Sequence, residues 1–177
     1  MDELFQVIAT RHSYRGEFKS DPVDMEHLKK IVQAGIDAPS GCNAQTTHFV
    51  IVTEPKLLDE ISTYFENRTV CKTAKAMIVC ITDLTPAYGD TSFAREDCAA
   101  AVENMLLAIS ALGYATVWYQ GYVQKDQTAE KIAKLLNVPN NLHVEILLPI
   151  GIPATQESPR PKKSFAERAF FNRYGAK

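Results

Sequence analysis

Short apolar runs alternate with helical stripes along this chain, and no glycine-rich turn joins any of them. Residues 49–52, 76–81, 115–119 and 144–150 are largely apolar or β-branched runs of the length of buried strands. Leu28, Ile31, Val32, Gly35 and Ile36 have the i, i+3, i+4, i+7, i+8 spacing of a buried helical stripe, with Asp24 as its cap and Pro39 as its stop. Leu57, Leu58, Ile61, Tyr64 and Phe65 make another. Cys98, Val102, Met105, Ile109 and Leu112 step by four and three along a long seam that Gly113 ends. Leu4, Val7 and Ile8 mark a first short helix, and Ile132, Leu135 and Leu136 one that ends before Pro139. Ser164-x-x-Glu167 is a capping box opening a last helix. By default such alternation predicts a parallel α/β sheet. That sheet would hold a nucleotide on a glycine-rich turn after its first strand. Neither G-x-G-x-x-G nor G-x-x-x-x-G-K-[ST] occurs, so any nucleotide must be held another way.

A length of 177 residues, at roughly 150 per domain, predicts a single domain over 1–177. Separate nucleotide and substrate lobes do not fit, so cofactor and substrate must share one small pocket. Nineteen Lys and Arg against twenty-one Asp and Glu give a net charge of −2, too weak a field to favour a nucleic-acid partner. The start, Met1-Asp2-Glu3, is acidic where a secretion signal would be basic. No apolar run approaches the roughly 20 residues of a membrane span. The longest, 146–153, contains Pro149, Gly151 and Pro153. Cys42, Cys71, Cys80 and Cys98 form no C-x-x-C pair and are expected to be free thiols in a reducing cytoplasm. His12, His27, His48 and His143 lack metal-ligand spacing, so no metal is expected.

Chemistry concentrates in three clusters. Arg11-His12-Ser13-Tyr14-Arg15 closes the first helix with two guanidiniums and a hydroxyl. These donors suit phosphate oxygens, and they equally suit a helix C-terminal dipole facing solvent. Ala38-Pro39-Ser40-Gly41-Cys42-Asn43-Ala44-Gln45 presents donors and acceptors in quick succession, as a heterocycle edge requires. A self-capping loop would account for Ser40 and Gly41, but less well for both Asn43 and Gln45. Within this loop Cys42 is expected to be a small buried thiol. Arg160-Pro161-Lys162-Lys163 is either an exposed basic turn or a restricted set of cations facing an anion. Trp118 and Tyr119, ending a strand run, suit a ring stack or the core.

In their order and spacing these clusters resemble the FMN-dependent nitroreductase family. The resemblance rests on Arg-His-Ser-x-Arg at 11–15, Ala-Pro-Ser-x-x-Asn-x-Gln at 38–45, Ala-Leu-Gly-Tyr-Ala-Thr at 111–116, and Gly-x-Pro at 151–153 followed by the basic turn. It implies an α+β fold, with a central, mostly antiparallel sheet flanked by helices, in an intertwined homodimer holding FMN at the subunit interface. It also implies that Arg11 and Ser13 meet the phosphate and ribityl end, with His12 contributing through its backbone. Arg15 would approach the pyrimidine edge, where a fixed cation stabilises the reduced ring. Pro39, Ser40, Asn43 and Gln45 would pass the flavin from the partner subunit. Asn67 would bond the ring, Gln120 and Gly121 would offer backbone N–H groups near N5, and Arg160 and Lys162 would bind phosphate. One departure stands out: Gln45-Thr46-Thr47 replaces the family's Gln-Pro-Trp.

The implied activity is ping-pong. NADH or NADPH gives hydride to N5 and leaves, and a nitroaromatic, quinone or flavin then takes the electrons. The cofactor does the chemistry, so no catalytic side chain is expected. Two other readings use the same residues: a flavin-binding module without turnover, acting as carrier, sensor or scavenger, and a reductive dehalogenase or flavin-fragmenting enzyme. The last would need a lid over the pocket, and residues between Asp83 and Phe93 offer only a brief loop. Phe165, Phe170, Phe171 and Tyr174 near the chain end, and Ala99, Ala100 and Ala101 beside the long seam, suit either a second subunit or packing within one chain.

Overall fold

Asp24 sets the register of the first buried helix. Its carboxylate accepts the Glu26 and His27 N–H groups at 2.7 and 3.1 Å, which holds the Asp24 pKa below the ordinary carboxylate value. In the computed structural model, which describes residues 3–176, this helix is α2 (Met25–Ile36). The acidic start read at Met1 and Asp2 lies outside the described residues. Helix α1 (Glu3–Thr10) precedes α2. Then come β1 (Thr47–Val52), α3 (Pro55–Thr63), α4 (Thr69–Lys72), β2 (Ala76–Asp83), α5 (Ala94–Ala111) and β3 (Ala115–Thr116). Helix α6 (Thr128–Leu135), strand β4 (Leu142–Gly151) and the short α7 (Phe165–Arg168) complete the chain.

The sheet order is β1-β2-β4-β3, and every pairing is antiparallel. The default parallel expectation is therefore wrong, and the α+β architecture implied by the resemblance is right. The helices do not cross over between parallel neighbours. They cover the two faces of a sheet whose two central strands, β2 and β4, are buried along nearly their whole length. Ala76, Ile78 and Cys80 pack on one side with Leu28 and Ile31 of α2 and with Cys98, Val102, Met105 and Ile109 of α5. Met77, Val79 and Ile81 pack on the other with Tyr14, Leu58, Ile61, Phe65, Tyr119 and Ile132. Helices α2 and α5 meet closely because Gly35 has no side chain: a Cβ there would lie 3.0 Å from Met105 Cγ.

Two local expectations change, and one short helix is added. The third strand is not continuous over 115–119. It pairs only at Ala115–Thr116, and Tyr119 rejoins β4 through a separate bridge to Leu147. Helix α4 has no clear stripe in the sequence and fills a corner with Val70 and Cys71. Cys42 is exposed, because the backbone beneath it is left-handed (φ 53°) and turns the thiol outward; the other three cysteines are buried. Among the described residues no helix is long and apolar enough to cross a membrane, and no group of His, Cys, Asp and Glu could hold a metal.

Candidate functional site

The segment after α1, which carries the first cluster, is tied into the sheet. The Tyr14 N–H donates to the Thr116 carbonyl at 2.8 Å, and the buried Tyr14 ring packs beside Phe18. Phe18 bridges to Pro153, and the Ala154 N–H donates to the Glu17 carbonyl at 2.9 Å. These bonds bring the two ends of the chain together. Arg11, His12, Ser13 and Arg15 then line one cavity of about 330 Å³ with Arg160 and Lys162, alongside Glu157, Ser158 and Pro159. Four cations from opposite ends of a near-neutral chain share one concavity. A phosphate matches that donor set: guanidinium forks, an ammonium and a hydroxyl. Arg11 is steadied by Glu103 of α5 at 3.8 Å.

The loop 38–46 lines a second cavity of about 270 Å³ through Pro39, Ser40, Gln45 and Thr46. The two cavities share no lining residue, so one chain does not unite the cationic cluster with this loop. Asn43 lies on the same loop, within a single 3₁₀ turn (Gly41–Asn43). Cys42, Asn43 and Gln45 are all left-handed, at about 1–2 kcal/mol each for residues that carry a Cβ. The loop offsets that cost with internal bonds. Ser40 Oγ accepts the Gln45 N–H at 3.0 Å. Asp97, buried in the first turn of α5, accepts the Gly41 N–H at 2.7 Å and the Thr46 hydroxyl at 2.8 Å. Gly41 lies against the Phe93 side chain, where a Cβ would overlap it. The sequence pointed to the loop but not to Asp97, since an acid in a helix's first turn is ordinary.

Asn67, also left-handed, follows α3 and precedes Arg68. The Arg68 guanidinium lies 4.2 Å from the Tyr122 ring centroid and donates to the Tyr122 hydroxyl. This contact joins the Asn67 segment to the turn that carries Gln120 and Gly121. Burial holds the Tyr119 pKa above its ordinary value, with Cys71 adding to the rise and the charges of Arg68 and Arg15 opposing it. Among the described residues, the Gln120 and Gly121 N–H groups donate to no protein acceptor, and the space beside Gly121 is open. Arg68 was missed in the sequence, because a lone arginine beside an asparagine carries no pattern.

The model of the family described as "Nitroreductase family" matches residues 8–80 and 66–152. The chain belongs to the nitroreductase family. It is an oxidoreductase by that membership. A protein of Archaeoglobus fulgidus, provisionally named NADH dehydrogenase/NAD(P)H nitroreductase, is 31% identical over 89% of this chain and 89% of its own. An iodotyrosine deiodinase of Thermotoga neapolitana is 27% identical over 92% of this chain and 93% of its own. The crystal structure of an FMN-dependent nitroreductase from Clostridium difficile R20291 superposes with a TM-score of 0.81 at 25% identity, covering 96% of this chain and 99% of that one. The chain therefore spans nearly the full length of such relatives, and its brief segment before Phe93 is closed on itself by the Tyr88–Thr91 bridge.

Proposed function

We propose that this protein binds FMN, takes electrons from NADH or NADPH, and passes them to a small acceptor such as a nitroaromatic, a quinone or a free flavin. The single observation that carries this reading is the cavity joining Arg11, Ser13 and Arg15 to Arg160 and Lys162. Those residues fit the phosphate and ribityl end of a flavin mononucleotide, with His12 beside them. When bound, FMN supplies hydride acceptance at N5 and onward electron transfer, so the protein's task is binding and electrostatics. Arg15 offers a fixed cation to the pyrimidine edge, in a site where charge counts for more than in water. Gln120 and Gly121 offer two uncommitted N–H groups to the N5 side, and Asn67 a side-chain bond to the ring. Donor and acceptor use one open pocket in turn, a ping-pong order.

The working unit is a homodimer in which Pro39, Ser40, Asn43 and Gln45 of one subunit wall the flavin of the other. Two features support it. The two cavities are separate within one chain, and apolar residues lie uncovered at both ends: Leu4, Phe5 and Ile8 on α1, and Phe165, Phe171 and Tyr174 near the C-terminus. The enzyme works in the cytoplasm, where free thiols such as the exposed Cys42 persist.

Purified protein should be yellow, or should take up added FMN with quenching of flavin fluorescence. Anaerobic mixing with NADH or NADPH should then bleach the flavin within seconds. A protein that takes up no FMN contradicts the proposal, and uptake without bleaching marks a binding module without turnover. The likeness to the deiodinase makes halophenols a necessary member of the acceptor panel. Their dehalogenation would replace the nitroaromatic assignment.

A further inference from the structure

Strand β4 carries a charged residue where its neighbours are Val144, Ile146, Leu147 and Leu148. Its pairing with β2 runs Cys80↔Ile146 and then Ile81↔Val144, which leaves Glu145 without a cross-strand partner. Val144 and Ile146, two residues apart, accordingly face opposite cores. Glu145 is the extra residue of a β-bulge, a device that re-aims one side chain out of a regular strand.

The re-aimed carboxylate is 4% exposed. Its Oε1 accepts from Gln120 Nε2 at 2.8 Å, and Arg95 Nε of the largely exposed Arg95 side chain lies 3.6 Å from the same oxygen. Gln120 Oε1 in turn accepts from the Trp118 indole N–H at 3.3 Å. Gln124 Nε2 donates to the main-chain carbonyls of Val144 and Glu145 at 3.3 and 3.4 Å, fastening the bulge to the same turn. The polarity of this chain is fixed. A carboxylate only accepts and an indole only donates, so the Gln120 carboxamide between them has one orientation. An apolar residue would serve the core at least as well as a buried carboxylate with a single, distant cation. What the carboxylate adds is a directional hold on the turn that carries the uncommitted Gln120 and Gly121 N–H groups.

We propose that Glu145 is a positioning residue for the flavin side of the pocket: through the Gln120 carboxamide it fixes residues 118–121 so that their free N–H groups face the ring. This rests on the flavin reading above. The test uses the sole tryptophan of the chain as a reporter. In the flavin-free protein, Glu145→Gln should shift or split the Trp118 indole N–H resonance, because an amide at 145 can present either polarity. In the flavin-loaded protein, the same variant should slow anaerobic reduction by NADH about tenfold while changing FMN affinity less than about twofold, the pattern of lost positioning rather than lost binding. Gln120→Met cuts the same link at a half-buried position outside any strand, and should do the same even where Glu145→Gln fails to fold. The double variant should be no slower than Gln120→Met alone. Additive losses, or an unmoved indole resonance and unchanged reduction in Gln120→Met, overturn the proposal. If the wild type takes up no FMN, the flavin reading falls and the positioning role falls with it. Normal uptake with a silent resonance overturns the positioning role alone.

Discussion

The cradle formed by residues 11–15 and 157–162 is open and cationic, whereas the loop 38–46 is neutral and bonded to itself and to Asp97. The cradle holds its cations mostly at the surface, with a single distant ion pair at Arg11. The loop holds three left-handed residues on a buried carboxylate. On the proposed flavin reading, ligand chemistry accounts for the difference. Charge attraction to a phosphate tolerates loose geometry, since it falls off slowly with distance. Contact with a flat ring does not, because a gap of half an ångström already forfeits much of the dispersion energy. Changes in the loop should therefore register first in stability, and changes in the cradle first in ligand affinity and its salt dependence.

The sharpest way to break that contrast is Asp97→Ala. It leaves the Gly41 N–H and the buried Thr46 hydroxyl without an acceptor and should cost about 3 kcal/mol in denaturant unfolding. Asp97→Asn, which keeps one acceptor oxygen, should cost about half as much. Arg160→Ala with Lys162→Ala should do the reverse, leaving unfolding within about 0.5 kcal/mol while weakening FMN binding at least about tenfold. Lys163→Ala, outside the cavity lining, should weaken it less, and equal loss from all three cations would reduce the cradle to nonspecific charge. Gly41→Ala presses a methyl into the Phe93 ring and should cost about 1–3 kcal/mol, a milder version of the Asp97 result.

Thiol chemistry gives a finer reading of the loop. Burial pushes the Cys71 thiol up to about 12 despite the nearby Arg68 charge, and Cys80 and Cys98 are fully buried. Ellman titration of the folded protein should therefore find one fast thiol, Cys42, and all four only on unfolding. Smallest of all is the cap of α2. The Asp24 pKa is lowered below 3.8 in the folded chain, so its contribution is present above that value and fades as pH falls through the lowered one. Asp24→Ala should remove that part of the acid dependence of unfolding and leave FMN binding untouched.

Much of this was legible in the residues. Helix α2 with its Asp24 cap, the seam of α5 and the central strands follow from periodicity, because their burial is one-sided or complete. Sheet direction was not legible. Alternation of helices and strands fits parallel and antiparallel pairing alike, and only the family motifs pointed to the right one. The cradle was visible as clustered charge, although Arg11, Arg15, Arg160 and Lys162 could equally have been solvated. Asp97 and Glu145 carry no signal of their roles: Asp97 is an ordinary first-turn acid, and Glu145 is one charge inside an apolar strand run. Only the fold buries them, Asp97 under the loop and Glu145 at a bulge that no spacing rule reveals. Cys42 was misjudged because its left-handed backbone overrides the usual preference of cysteine for the interior.

The most direct measurement is titration of the flavin-free wild type and of Arg160→Ala/Lys162→Ala with FMN at low and high salt, followed by flavin fluorescence. The account predicts saturable quenching by the wild type, weakened by salt, and a double variant that binds more weakly with a shallower salt dependence. Absence of quenching in the wild type, or a double variant that binds as the wild type does at both salts, would contradict it.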